Sequence, residues 1–297
     1  MKKLTLICLI VFTAMLATAG NVALVHSKED PWKWTFSLRG DASKKPILMP
    51  TGLWIDAERQ RYYVVDSGNS RLLSFDQNGA YLNAFNAGNS LEAPYDMYRE
   101  EDGTIWVVEK GKNSLTSIDL QSKKITPHTL AVHGTTVYPD RVKKAGDAIY
   151  ILDRASGDVV VFNENLQYVK TYGCSDCGLG FGDFEIKGDI LWAMEKSKPV
   201  VYKYSLQGEK LATIQLRADN LEFPYAIEIG PGDIIYLLDR HNGSVSVFDQ
   251  QGKFKYSAFS LGHVRGKLYY PEDLLLDPWG RLCVIDSGNG RIEVFSR

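Results

Sequence analysis

Asp66-Ser67-Gly68-Asn69 is the first of six acidic turns that recur along the chain. The others are Glu109-Lys110-Gly111, Asp153-Arg154, Glu195-Lys196, Asp239-Arg240 and Asp286-Ser287-Gly288-Asn289. Their intervals are 43, 44, 42, 44 and 47 residues, the period of propeller blades built from four strands. A second marker runs in phase. Pro50, Pro94, Pro139, Pro224 and Pro271 each precede a turn by 14 to 16 residues, and Gly182 holds the matching place in the fourth unit. Between marker and turn lie two apolar runs, such as Leu53-Trp54-Ile55 and Tyr62-Tyr63-Val64-Val65. Short β-branched and aromatic runs bounded by Gly, Pro and Asp read as strands joined by hairpins. A third run from Arg71 and a fourth from Tyr81 complete an antiparallel meander. The second run is apolar on both sides, as in Ile234-Ile235-Tyr236-Leu237-Leu238, which suits a strand sandwiched between neighbouring blades.

The fold class that follows is all-β, a six-bladed β-propeller of four-stranded antiparallel blades. Blade six stops at Arg297, one strand short. Trp34-Thr35-Phe36-Ser37-Leu38 resembles the fourth run of blade one. It is expected to pair with the last blade and clasp the ring, giving an open sheet edge its partner.

Two of the turns, Asp66-Ser67-Gly68-Asn69-Ser70-Arg71 and Asp286-Ser287-Gly288-Asn289-Gly290-Arg291, are each followed by an apolar run ending in Phe. They resemble NHL repeats, and the resemblance extends from about Trp32 to the C-terminus. It implies a six-bladed propeller. Such modules mostly bind proteins, peptides or nucleic acid; a minority are enzymes, including peptidyl-hydroxyglycine lyases. More distant six-bladed relatives include metal-dependent lactonases.

Met1-Lys2-Lys3 followed by an uncharged stretch to Val25, with Ala17-Thr18-Ala19 before Gly20, reads as a bacterial export signal. A retained anchor reaching to about residue 25 is the alternative, and membrane contact is expected only then. The expected organisation is a signal peptide at 1–19, a short linker at 20–31 and the propeller at 32–297. The propeller is placed in the periplasm or outside the cell. Removing the leader and its two lysines leaves 32 basic against 36 acidic side chains, so no nucleic-acid partner is expected.

Cys174-Ser175-Asp176-Cys177 falls between blades three and four. An exported compartment is oxidising, so a local disulfide is the default reading. Gly178 stands where covalent haem attachment needs a His. A redox role for the pair is the other reading.

In blades two to five a base follows the turn acid directly: Lys110, Arg154, Lys196 and Arg240. These turns and the starts of the first strands should share one face of the ring. That brings Tyr95, Asp96, Arg141, Tyr225, Tyr270 and Asp273 to the mouth of the central channel. The pattern reads either as a charged, Tyr-rich surface that grips a partner or as inter-blade ion pairs and turn-capping carboxylates. The first expectation for function is a non-catalytic binding or scaffold module of the bacterial envelope or exterior. Its partner would be another protein or peptide, and no cofactor is expected. The alternative is a metal-dependent lyase or hydrolase at the channel mouth, with His133, His241 and His263 as candidate zinc ligands. A third reading, an electron-transfer accessory protein, rests on Cys174 and Cys177 alone.

Overall fold

In a computed structural model that describes residues 31–40 and 45–297, six four-stranded antiparallel sheets follow one another along the chain. The expected leader lies outside the described residues. Blade one comprises Pro50–Asp56, Arg61–Asp66, Arg71–Asp76 and Tyr81–Phe85. Blade six comprises Asp273–Leu276, Leu282–Asp286 and Arg291–Ser296 and takes its fourth strand, Lys33–Leu38, from the start of the propeller. The clasp pairs Trp34 with Phe295 and Leu38 with Ile292. The only addition to the meander among the described residues is a small hairpin, Leu130–Val132 with Thr135–Val137, between blades two and three.

Burial explains why the blades stack. The buried apolar side chains fall into six clusters, one in each gap between neighbouring blades. Second strands supply residues to the clusters on both sides. In blade five, Tyr236 and Leu238 pack toward blade six, while Ile235 and Leu237 pack toward blade four. No blade could bury both faces of that strand by itself.

The acidic turns owe their recurrence to a backbone hydrogen bond. Asp66 accepts from Leu48 N at 2.8 Å, Glu109 from Glu92 N at 2.7 Å, Asp153 from Tyr138 N at 2.9 Å and Asp286 from Tyr269 N at 2.7 Å. Asp239 does the same for Glu222 N and Phe223 N, and Glu195 more weakly for Gly178 N at 3.4 Å. All six acids are buried. Each ties the end of its second strand to the segment leading into its own blade, and an apolar residue there would strand a buried N–H.

In blades one, two and six the residue before the marker proline departs from expectation. A residue in that position is normally extended, yet Met49, Ala93 and Tyr270 have φ of 49°, 46° and 46°. In blade two the following turn explains the twist: Ala93 and Glu92 offer their carbonyls to Lys110 N and Gly111 N.

Cys174 and Cys177 form a disulfide with a Cα–Cα distance of 5.3 Å. It packs on the aromatic wedge of Tyr172, Phe181 and Tyr204 between blades three and four. Cys283 is a buried free thiol.

Candidate functional site

The first strands line the central channel, and a shared irregularity shapes its mouth. In blades one to five the pairing of first and second strands slips between the first strand's opening residue, a marker proline except in blade four, where Phe181 and not Gly182 takes the marker's place, and the second residue after it. An extra residue of this kind re-aims a side chain. The residues at the slip are Thr51, Tyr95, Asp140, Gly182 and Tyr225, and Glu272 takes that place in blade six. They form the mouth. The next residues along, Gly52, Asp96, Arg141, Asp183, Ala226 and Asp273, form a layer beneath it.

Glu272 is the centre of the mouth and is 4% exposed. Its Oε1 accepts hydrogen bonds from the hydroxyls of Tyr225, at 2.7 Å, and Tyr95. Its Oε2 pairs with Arg240 Nη2 at 3.0 Å. Blades two, five and six are thus joined through one carboxylate. Arg240 also lies 4.4 Å above the Tyr225 ring, and Lys110 Nζ lies 2.9 Å above the Tyr95 ring. Burial, helped by the Glu272 charge, pushes Tyr225 up to about 12. Burial also drives Tyr95 well above the ordinary phenol range, so both phenols stay protonated near neutrality. Lys110 pairs with Asp140 at 2.5 Å, yet burial outweighs that carboxylate and lowers its pKa.

Beside this cluster lies a cavity of about 170 Å³, lined by Tyr95, Lys110, Arg141, Arg154, Lys196 and Tyr225 among others. Arg154 stacks on Tyr138 and donates to Asn113. Lys196 has no carboxylate partner among the described residues. Asp140, also in the lining, offsets Lys110, so Arg154 and Lys196 give the cavity its surplus positive charge, a setting for an anionic group.

The neighbouring acids and bases of the turns part company. Each acid points into its own blade, and the base after it serves the mouth. The acids thus cap backbone N–H groups, while Lys110, Arg154 and Lys196 line the mouth cavity and Arg240 pairs with Glu272 beside it. Tyr270 stands on the rim, 45% exposed.

Beneath the mouth, Arg141 crosses the channel. Its guanidinium pairs with Asp273 at 2.9 Å and donates to the carbonyls of Glu272, at 3.0 Å, and Thr51, at 3.4 Å. Asp183 lies 4.0 Å from its Nε, which makes no hydrogen bond. Asp96 and Asp183 brace neighbouring blades, each accepting a backbone N–H at 2.8 Å from Val142 and Ile227. Burial, then the Asp273 charge, push Asp183 up to about 8. An unfolded aspartate ionises near pH ~3.9. The fold therefore holds a proton on Asp183 that the unfolded chain loses, and stability falls as pH rises from about 4 to about 8. In Asp183→Asn the Tm should fall less between pH 5 and 8 than in the unaltered protein. Parallel slopes in a scanning calorimeter would contradict this.

The three histidines do not converge. His133 packs on Tyr168, at 5.2 Å, in the outermost strand of blade three. His241 stacks on Phe223 at 4.6 Å beside Tyr270, and His263 meets Tyr269 and donates from Nδ1 to Asn289 Oδ1 at 2.8 Å. Among the described residues no group of three or more His, Cys, Asp or Glu is arranged to hold a metal ion. The residues present therefore do not fit the zinc site expected of the alternative reading.

Glu272 escaped the sequence reading. Its signal was its column, the position after the marker that holds Tyr95, Asp140 and Tyr225 in other blades.

No family model matches the chain, and no curated protein does. Solved structures do. A streptogramin B lyase matches with a TM-score of 0.67 at 12% identity, over 88% of this chain and 96% of that one. Virginiamycin B lyase from Staphylococcus aureus matches at 0.62 and 15%, over 86% and 82%. A gluconolactonase from Xanthomonas campestris matches at 0.66 and 14%, over 90% and 95%. At these identities the likeness is one of fold. It nonetheless corrects the expectation of a non-catalytic binding or scaffold module: the similar structures are enzymes, lyase and lactonase, and they favour the enzymatic alternative.

Proposed function

We propose that the chain is a lyase or hydrolase acting at the mouth of the propeller channel on a small substrate that carries an anionic group. The observation that carries this reading is Glu272, held by two phenols and a guanidinium beside a cavity on which Arg154 and Lys196 present positive charge with no carboxylate partner among the described residues. Lys196 and Arg154 would grip the anionic group. Tyr225 would face the reacting atoms. Its oxygen takes a proton from substrate or water while its own proton passes to Glu272 Oε1, so a carboxylate does the accepting and the phenol relays. Arg240 and Lys110, over the rings of Tyr225 and Tyr95, oppose the negative charge that gathers there. Taken from a carbon beside a carbonyl, that proton begins an elimination; taken from water, it begins a hydrolysis. No step is routed through a metal, because the histidines are not gathered.

Small lactones and cyclic esters, with and without a carboxylate, are the first substrates to try, in keeping with the lactonase and lyases of like fold. Glu272→Gln should cut kcat by about 10²- to 10⁴-fold, while Lys196→Ala should chiefly raise KM for carboxylated substrates. If no member of the panel is cleaved, or if Glu272→Gln turns over at the normal rate while folded, the reading fails.

We also propose that the blades are of the NHL type and that the protein works outside the cytoplasm. The support is the Asp-Ser-Gly-Asn turns and the leader. No helix among the described residues is long and apolar enough to cross a membrane.

A further inference from the structure

The segment that leads into blade four is held differently from the others. In the other five blades the turn acid accepts a backbone N–H of its entry segment at 2.5 to 2.9 Å. In blade four Glu195 reaches Gly178 N only at 3.4 Å. Its Oε1 is drawn to Lys198 Nζ at 2.6 Å, and its Oε2 takes the Tyr202 hydroxyl at 3.3 Å. The disulfide ends at Cys177, the residue next to this weakly held N–H. A covalent bond stands where the other blades rely on a carboxylate.

The residues after the disulfide belong to the mouth. Gly180 offers its carbonyl to Lys196 N at 2.9 Å, and Phe181 N donates to Gly157 O at 2.6 Å. Phe181, Gly182 and Lys196 line the mouth cavity. Between Cys177 and Phe181 lie only Gly178, Leu179 and Gly180, and Leu179 is 66% exposed. Glycines on either side of an exposed leucine leave this backbone wide freedom once its tether is gone. The tether is within reach of a reductant. Both cysteines are half-buried, unlike Cys283, and Ser175 and Asp176 between them are exposed. Closing so short a loop constrains the unfolded chain little, so the bond adds more to this segment than to the fold as a whole.

We propose that Cys174–Cys177 is a redox-active disulfide that a dithiol opens in the folded protein, and that its opening releases the entry to blade four and loosens the grip of Lys196. The second half rests on the reading of the mouth given above. One thiolate of the dithiol attacks a sulfur of the pair, the S–S bond breaks, and the other cysteine leaves as a thiolate and takes up a proton. The second thiolate of the dithiol then displaces the first cysteine, which is protonated in turn. The protein gains two electrons and two protons, and the dithiol ends as a disulfide.

The full chain is equilibrated with mixtures of reduced and oxidised dithiothreitol, alkylated and mapped by peptide mass. Cys174 and Cys177 should take label together and reversibly, with Cys283 unlabelled and the Tm lowered by only a few degrees. Amide hydrogen exchange of the reduced protein should quicken about tenfold from Gly178 to Phe181 and at Lys196, and stay unchanged at Phe223 and Arg240 of blade five. The double variant Cys174→Ser with Cys177→Ser should exchange like the reduced protein and ignore the dithiol. Labelling that begins only where the domain unfolds would overturn the proposal, and so would a reduced protein with unaltered exchange. With a substrate that is cleaved at the mouth, reduction should raise KM several-fold at constant kcat; the same KM in both states would overturn the link to Lys196. Labelling and exchange need no substrate, so a failure of the mouth reading leaves the redox site to be judged on them.

Discussion

Arg141→Met should lower the unfolding free energy by about 3–5 kcal/mol, the usual cost of taking one partner from a buried ion pair. In a domain of this size that is a fall in Tm on the order of 10 °C. The reason lies in what the side chain leaves behind. Asp273 loses its 2.9 Å partner, and the carbonyls of Glu272 and Thr51 lose their donor. Asp96, Asp183 and Asp273 would then share one narrow channel with Lys143, itself paired with Glu185, as the cation left near them. Methionine fills much of the volume, so the loss reports charge rather than a cavity. The deficit should shrink as the pH is lowered through the carboxylate range, because protonation relieves the repulsion. A variant as stable as the parent at pH 8 would mean that the guanidinium is a passenger in the channel. Restoring charge with Arg141→Lys should recover only part of the loss, since an ammonium cannot reach three acceptors in a plane.

The second large effect is expected at the clasp. Leu38 is fully buried in the wedge between blades six and one, and Trp32 is 5% exposed in the wedge between blades five and six. Glu293, wholly buried, accepts from Trp34 Nε1 at 2.8 Å and from Ser37 Oγ at 2.5 Å. Leu38→Ala should cost about 2–5 kcal/mol. A chain shortened to begin at Gly40 loses the leucine, the tryptophan, both of those donors to Glu293 and a full strand. It also exposes Arg291–Ser296 as a bare sheet edge. We expect it to lose cooperative unfolding and to associate at micromolar concentration. A peptide of residues 31–40 added in trans should restore a sharp transition. A shortened chain that melts within a few degrees of the full one would show that blade six closes with three strands.

The propeller could be read from sequence because its most regular residues obey local rules. Asp66 and Asp286 recur because a turn N–H needs an acceptor at one fixed place, and that requirement writes itself into spacing. Ile234 to Leu238 show sandwiching by being apolar on both sides. The clasp could be read because a missing strand at one end matched a spare run at the other. The site was harder. The turn pattern placed Lys110 and Arg240 at the mouth, but it did not point to Glu272, whose contacts depend on the distance between rings carried by blades two and five. The alternative reading gathered His133, His241 and His263 from loop position, yet the small hairpin before blade three holds His133 at the outer margin. Which way a loop residue points is set by its neighbours in space, and a single chain does not print them.

Pairing the first described strand with the last has a consequence for how the molecule is made. Five of the six wedges join blades that leave the ribosome in succession, so each can form while synthesis continues. The wedge between blades six and one, and the sheet completed by Lys33–Leu38, need residues from both ends. Closure must wait until Arg291–Ser296 has been made, and until then Lys33–Leu38 lacks its sheet partner. The ring therefore seals last, after its other wedges have had the chance to pack.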